Sequence, residues 1–384
     1  MKADYKPIGD YIRLVDKRNT YLAVNKLVGL TINKEFIPSV ANTIGSDMAN
    51  YKVIHQNQFA CSLMQVRRDK KIPVALYQEN EPAIISQAYP VFEIEDTTLL
   101  LPEFLMMWFT RSEFDREACF YAIGGVRGSL EWDDFCNMKL PIPSIEKQRE
   151  IVAEYNAVQR RIELNQLYIQ KLEETAQALY RELFIRSKGD NWEMCEIKDF
   201  GVVVTGKTPS SKNPQDFGSE MLFITPGDFK DENKFIQQSN RMLSKEGYTR
   251  MRNKILPRDT IIVTCIGSDM GKAAVTINES VTNQQINAIQ VNQSYYTNYL
   301  YYCLTLMADE IKGIALGGST MPMINKTTFE KIEILKPDDK TLIRFEELIK
   351  PINRLNIIHS EEINKLTELQ SLVLAKMVKK EDEI

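Results

Sequence analysis

Histidine is almost missing from this chain: its 384 residues hold two, His55 and His359. Cysteine is sparse as well. The six thiols, Cys61, Cys119, Cys136, Cys195, Cys265 and Cys303, are scattered and form no C-x-x-C pair. Together these shortages exclude zinc-ligand spacing and any histidine-centred acid–base constellation. They read as buried thiols in a reducing compartment rather than as a disulfide frame. Long apolar runs are missing too. The longest uncharged stretch, Ser280 to Ala308, is full of Asn, Gln, Ser, Thr and Tyr and is too polar to span a bilayer. Met1 to Asp10 is polar and has no signal-peptide core. A cytoplasmic location is expected. There is no excess of positive charge: 48 Lys and Arg face 52 Asp and Glu, for a net charge of −4. That balance argues against a protein that coats nucleic acid unspecifically, while allowing a reader whose cations are confined to one face.

Two nucleotide-like motifs fail on inspection. Gly267-x-x-x-Gly271-Lys272-Ala273 is one residue short of a P-loop and lacks the Ser or Thr that would hold magnesium, so it reads as a plain strand-to-strand turn. Asn213-Pro214-Gln215-Asp216 lacks the aromatic residue that would stack on a flipped base.

What is present is ordinary globular composition, 43% hydrophobic and 26% charged, with length for two domains. The dominant pattern is an apolar seam at alternating steps of four and three: Ile151, Tyr155, Val158, Ile162, Asn165, Ile169, Leu172, Ala176, Leu179 and Leu183. Charged residues fill the gaps, as in a helix that pairs with another helix. Ser144, after Leu140-Pro141-Ile142-Pro143, suits an N-cap. A helix of about forty residues from there spans roughly 60 Å.

The seam recurs. A shift of 194 positions carries Ile151 onto Phe345, Tyr155 onto Ile349, Val158 onto Ile352, Ile162 onto Asn356, Asn165 onto His359, Ile169 onto Ile363, Leu172 onto Leu366, Ala176 onto Gln370, Leu179 onto Val373 and Leu183 onto Met377. Gly124-Gly125 has a counterpart in Gly317-Gly318, and the Phe104 stretch has one around Tyr299. The chain therefore reads as an internal duplication: a globular segment at 1–143, a long helix at 144–188, a second globular segment at 189–337 and a second helix at 338–384. The shared seam predicts that the helices pair, antiparallel if a pseudo-twofold axis relates the copies, with Asn165 and His359 meeting near the middle to set register. Pro351 is expected to kink the second helix. The fold class is α+β.

Within the globular segments, Phe59 to Val66 and Lys71 to Tyr77 read as strands joined by the charged turn Arg67-Arg68-Asp69-Lys70. Pro102 to Arg111 reads as a short buried helix. Side chains able to make two hydrogen bonds to a base edge, or to clamp phosphate, sit on polar loops. In the first segment these are Gln56, Asn57, Gln58, Arg67, Arg68, Lys70, Lys71 and Arg127. In the second they are Lys207, Thr208, Ser210, Ser211, Lys212, Arg241, Arg250, Arg252, Lys272, Asn283, Gln284, Gln285 and Thr320. A solvated charged turn is the plainer reading of any one of them.

The order of segment, helix, segment, helix resembles the specificity (S) subunit of type I restriction-modification systems. The likeness rests on Leu140-Pro141-Ile142-Pro143-Ser144-Ile145-Glu146-Lys147-Gln148 opening the first helix, on Lys171-Leu172-Glu173-Glu174, on Thr205-Gly206-Lys207-Thr208-Pro209-Ser210, on Pro257-Arg258-Asp259-Thr260-Ile261-Ile262, on Gly267-Ser268 and on Thr282-Asn283-Gln284. Two departures stand out. The second helix opens Lys336-Pro337-Asp338-Asp339-Lys340 without the Glu-Gln pair, and the first segment has no Gly-x-Thr-Pro loop.

The resemblance implies a non-catalytic subunit with two target recognition domains joined by two long antiparallel helices forming a coiled coil. Each domain would read one half of a bipartite, asymmetric site on double-stranded DNA, and the helices would set the spacer. It implies two methylation subunits as partners and, in the full complex, two restriction subunits. S-adenosylmethionine, ATP and magnesium would sit on those partners, with no cofactor or metal in this chain. The competing readings are a duplicated protein-binding scaffold with helical spacers and, last for want of a catalytic cluster, an enzyme in its own right.

Overall fold

The computed structural model describes residues 5–39, 47–122, 128–229, 233–267, 269–316 and 323–378. The loop residues Gly124, Gly125, Arg127, Ser268, Gly317, Gly318 and Thr320 lie outside the described residues. The chain divides into two compact units, Met1–Ile162 with Lys365–Ile384, and Glu163–Asn364. The division cuts both long helices. Ile151, Val373 and Met377 are buried in the same core as Phe104, Phe109 and Phe135, whereas Ala176, Phe345 and Ile349 belong to the core around Tyr299.

The central sheet of the first unit has four antiparallel strands, Ile12–Leu14, Phe59–Cys61, Val74–Leu76 and Val91–Ile94. Numbered by chain order, they lie side by side as 1-4-2-3. The second unit builds the same order from Gly201–Thr205, Ile261–Thr264, Ala273–Thr276 and Ile286–Val291, and adds Phe235–Ile236 at the edge, parallel to Ala273–Thr276. Each unit also pairs an entry strand with an exit strand: Tyr5–Pro7 with Lys139–Pro141, and Glu193–Glu196 with Glu333–Lys336. Helices Pro102–Thr110 and Ser112–Tyr121 have counterparts in Tyr296–Leu306 and Ala308–Leu316. Because strand order is set by long-range pairing, its recurrence shows the duplication independently of the helix seams.

The charged stretch Arg67-Arg68-Asp69-Lys70 is not a simple turn between two long strands. The first strand stops at Cys61 and the next begins at Val74, while Val66–Asp69 forms one helical turn between left-handed Gln65 and Lys70. Val66 and Ile72 are buried there, so the connection must fold back onto the core rather than cross it directly. Pro102–Thr110 is a helix as expected, with Phe104, Leu105, Trp108 and Phe109 buried.

The first long helix is Ile145–Tyr180, and its final turn widens to π geometry over Arg181–Arg186. At about 1.5 Å per residue, its 36 residues run roughly 54 Å. Ser144 caps it: the Lys147 N–H donates to Ser144 Oγ at 3.4 Å. Gln148, on the next turn, is fully buried. Its Oε1 accepts from the Leu101 N–H at 2.9 Å, and its Nε2 donates to the carbonyls of Leu99 and Pro143 at 2.8 and 3.0 Å. The glutamine of the helix-opening motif is thus a buried staple. It ties the helix start to the segment that launches Pro102–Thr110.

The second long helix, Asp339–Lys376, lacks that glutamine. Asp338 caps it instead, accepting from the Thr341 N–H and Oγ1 at 2.9 Å each and from Trp192 Nε1 at 3.0 Å. These donors, led by the Thr341 N–H, hold the Asp338 carboxyl below its usual range. The helix runs unbroken through Pro351, which is exposed, so the forfeited backbone bond falls on the wet side.

Within each unit the helix halves run antiparallel. In the first, Gln370 Nε2 donates to Gln159 Oε1 at 2.6 Å, and Lys376 pairs with Glu154 one to two turns on. In the second, Asn165 Oδ1 meets His359 Nδ1 at 2.7 Å, and Tyr168 stacks on the His359 ring at 5.1 Å between centroids. Asn165 is 1% exposed, and its Nδ2 makes no hydrogen bond among the described residues. The expected polar contact is present, between equivalent positions of the repeat. The last two seam positions of the first helix are corrected, however. Tyr180 and Phe184 are buried, while Leu179 and Leu183 are only partly buried beside them. A 3.6-residue helix drifts against a 3.5-residue repeat. By its final turns the core-facing stripe has moved one residue on, where Tyr299 and Phe345 receive the aromatic rings.

Candidate nucleic-acid interface

The site follows from sheet register. In the second unit Thr205 lies opposite Asn287, and Thr264 opposite Ile286. Two strands therefore end where Ile286–Val291 begins, and their outgoing loops converge on residues 283–285 at one end of the sheet. Gly206 makes the approach possible. A Cβ there would fall closer than 3.0 Å to the carbonyls of Thr282 and Asn283 and to Thr282 Oγ1. With hydrogen in that place, the Gly206 N–H donates to Ile286 O at 3.1 Å and the Lys207 N–H to Thr282 O at 2.8 Å. Across the same seam Thr208 Oγ1 donates to Gln284 Oε1 at 2.6 Å. Gly-x-Thr-Pro and Thr-Asn-Gln, far apart in the chain, become one surface.

The turn between Ile261–Thr264 and Ala273–Thr276 arrives at that end as well, with Gly267 and Gly271 at φ of +84° and +88°. It is a strand-to-strand turn, as its sequence suggested. Lys272 lies on it, its Nζ 3.0 Å from Asp269. Lys207, Ser210, Ser211 and Lys212 are exposed on the neighbouring loop. Ser210, Ser211, Asn240 and Arg241 line an open cleft of about 460 Å³ with Phe217 at its wall. The Arg241 guanidinium lies 3.7 Å from the Phe217 ring centroid, which aims it while leaving its edge to solvent.

Not every candidate is free to read a base. Asn283 is buried; its Nδ2 donates to Gln285 Oε1 at 2.9 Å and its Oδ1 accepts from the Gln285 N–H at 3.0 Å. It shapes the loop from which Gln284 projects. Arg250 is tied to the buried carboxylate of Asp216. Arg252 is exposed on the following short helix.

In the first unit the candidates divide. Gln56, Asn57 and Gln58 precede the strand Phe59–Cys61, whereas Arg67, Arg68, Lys70 and Lys71 lie on the connection that follows it. Since Phe59 lies opposite Leu76 and Cys61 opposite Val74, the groups occupy opposite ends of one hairpin. Three strand residues, about 10 Å, separate them. Asn57 is left-handed at φ +65° and its N–H donates to Tyr77 O; Asp259, at φ +62°, donates likewise to Thr276 O. The Gln56 loop is therefore the counterpart of the Arg258–Asp259 turn, at the far end from Thr208 and Gln284.

Gln58 is not a reader at all. It is 8% exposed, accepts from the His55 N–H at 2.8 Å and donates to Glu93 Oε2 at 2.8 Å. Burial alone raises the Glu93 carboxyl, but hydrogen bonds from Gln58 and Arg13 outweigh it and hold the group low. Arg68 is clamped on Asp69, at 2.7 and 3.1 Å. Arg67, Lys70 and Lys71 are exposed at the end that corresponds to the Lys272 turn.

Among the described residues no three His, Cys, Asp or Glu side chains converge as metal ligands, and no helix is long and apolar enough to cross a membrane. Cys61, Cys265 and Cys303 are buried, and burial raises all three thiols.

One sheet order built twice, with polar and basic loops at the sheet ends, marks a duplicated recognition protein. The chain belongs to the type I restriction modification DNA specificity domain family, whose model matches residues 11–174 and again 189–368. It is 25% identical, over 77% of its length and 80% of the relative's, to the type I restriction enzyme HindI specificity subunit of Haemophilus influenzae. It is 29% identical to the MjaIX specificity subunit of Methanocaldococcus jannaschii, over 47% of this chain and 43% of that one. The fold matches a crystal structure of a type I restriction-modification S subunit from M. genitalium with a TM-score of 0.62, at 12% identity, covering 98% of this chain and 96% of the other.

Proposed function

We propose that this chain is the DNA sequence-reading subunit of a type I restriction-modification assembly. Each globular repeat reads one half of a split, asymmetric duplex site. The single observation that carries this reading is the recurrence of one sheet order, 1-4-2-3, twice in a chain whose family is defined by DNA specificity domains. Two copies of one reader with different loops recognise two different half-sites.

The long helices act as the spacer and as the platform for two methylation subunits. At about 3.4 Å per base pair, a helical rod sets separation more sharply than a flexible linker. The chain itself does no chemistry and works in the cytoplasm. S-adenosylmethionine is used by the methylation subunits, and ATP with magnesium by two restriction subunits.

Base contacts supply sequence preference and lysines on the same loops position the backbone. Lys207 and Lys212 flank the second unit's loop, and Lys70 and Lys71 stand at the matching end of the first. The test is to map adenine methylation in a host carrying the cognate methylation subunit, with and without this chain. A split motif that appears only with the chain supports the reading. An identical methylome in both strains refutes it and leaves the protein-binding scaffold. Replacing residues 1–143 by those of a relative changes one half of the motif; a change in both halves is the contrary outcome.

A further inference from the structure

The duplication assigns a base-reading residue in the first unit that its sequence does not mark. Strand Ala83–Ile85 pairs with Lys52–Ile54, Ala83 opposite Ile54. In the second unit Ser280 bridges Leu256 in the same way, on the strand Ser280–Thr282. Ala83 and Ser280 are therefore equivalent. Two residues beyond the ends of these strands stand Gln87 and Gln284, both exposed.

Their surroundings match. Thr208, just past the first strand of the second sheet, donates to Gln284 Oε1 at 2.6 Å. Arg18, just past the first strand of the first sheet, donates through Nη1 to Gln87 Oε1 at 3.4 Å. Arg18 is itself fixed: Nη1 also donates to Asn50 O at 2.7 Å, and Nη2 lies 2.8 Å from Asp16. The place of the missing Gly-x-Thr-Pro loop is thus taken by the segment carrying Arg18, which presents a different donor to the same acceptor.

We propose that Gln87 is the first unit's counterpart of Gln284 and reads adenine in its half-site, with Arg18 as its positioning residue. This rests on the DNA-reading function proposed above. The chemistry follows from what each donor leaves unused. A carboxamide oxygen has two lone pairs; one is taken by Arg18 or Thr208, and the other accepts from adenine N6–H. The amide nitrogen keeps both hydrogens and donates to adenine N7, completing a bidentate contact. Holding the oxygen beforehand fixes which edge of the amide meets the base.

The experiment uses the full chain assembled with its methylation subunit, in a host free of other adenine methylation. Gln87→Glu and Gln87→Ala are compared with wild type by methylome sequencing, with thermal melts to establish folding. Gln87→Glu replaces the donors that face N7 by an acceptor. Methylation of the original motif is expected to fall about ten- to a hundredfold, with the change confined to one adenine of one half-site. Arg18→Lys loosens preference at that same base. A folded Gln87 variant with an unaltered motif overturns the assignment, as does unfolding of both variants, which makes the residue structural. A motif shift from Gln56→Glu in place of Gln87 overturns it too. If wild type directs no split motif, the proposed function itself fails; if it directs one and Gln87 is silent, only this inference does.

Discussion

Gly206→Ala tests the geometry of the second reading loop most directly. The added methyl would lie closer than 3.0 Å to two backbone carbonyls and one hydroxyl of residues 282–283, where ordinary contact begins near 3.4 Å. Two of the three obstacles are backbone, so no rotamer change relieves the clash. The nearest obstacle, the Asn283 carbonyl, would lie at 2.1 Å, so relief requires the 206–212 loop and the 282–284 segment to part by about 1 Å. Overpacking of this kind costs about 1–3 kcal/mol. Parting also strains the hydrogen bonds from the Gly206 and Lys207 N–H groups, each worth about 1 kcal/mol net. A total loss of about 2–4 kcal/mol is expected. The strand pairs from Gly201 opposite Val291 to Thr205 opposite Asn287 lie outside the clash and hold the sheet together. The functional consequence is sharper than the loss of stability. Moving the loop draws Thr208 Oγ1 off Gln284, so the glutamine amide loses its fixed orientation. Urea unfolding of the chain, paired with methylome sequencing of the assembled complex, reads both effects. The second unit's half of the motif becomes degenerate while the other half is kept. Wild-type stability with an unchanged motif would refute the close-approach argument.

Two further outcomes can be checked alongside it. Asn165 places a buried polar group on the helix seam with its amide nitrogen unpartnered among the described residues, so Asn165→Leu with His359→Leu should raise stability by about 1–3 kcal/mol and loosen register. Denaturant midpoints and a broadened distribution of methylated spacer lengths measure this; a less stable variant with one sharp spacer contradicts it. Lys234 is buried against Asn298 and Asn353, faces Tyr301 and Tyr302, and has Glu173 and Glu346 nearby; burial pushes its amine down to about 7 despite those carboxylates. A folded value below the unfolded one means the unfolded chain binds the extra proton, so stability rises as pH rises above about 7. The gain is at most about 1.4 kcal/mol per pH unit, and it is read between pH 7 and 8.5, before the raised buried thiols and phenols oppose it. Lys234→Met should flatten that slope, and an equal slope in the variant would discount the lysine.

The candidate interface was partly legible in the chain. Thr208, Lys272 and Gln284 stand out because glycine turns and polar loops are local signals, and they do meet at one sheet end. Gln58 carried the same signal and is buried, because nothing local distinguishes a glutamine that faces a base from one that faces Glu93. Gln87 carried no signal, lying in an unremarkable Ser-Gln-Ala stretch whose partner, Arg18, is 69 residues away. Gln148 shows the converse. Its motif was readable, yet its role as a buried staple needed the carbonyls of Leu99 and Pro143 around it.

Sequence alone established the duplication, most of both helical seams and the expectation that Asn165 meets His359. Each follows from a repeat offset or a 3.5-residue period, which are properties of the linear chain. Only the tertiary structure decided which end of each sheet a loop joins, and therefore which polar residues act together. The 1-4-2-3 strand order is set by hydrogen bonding between segments tens of residues apart. One change of sheet end moves a side chain about 10 Å along the strand axis, a distance that no local pattern records.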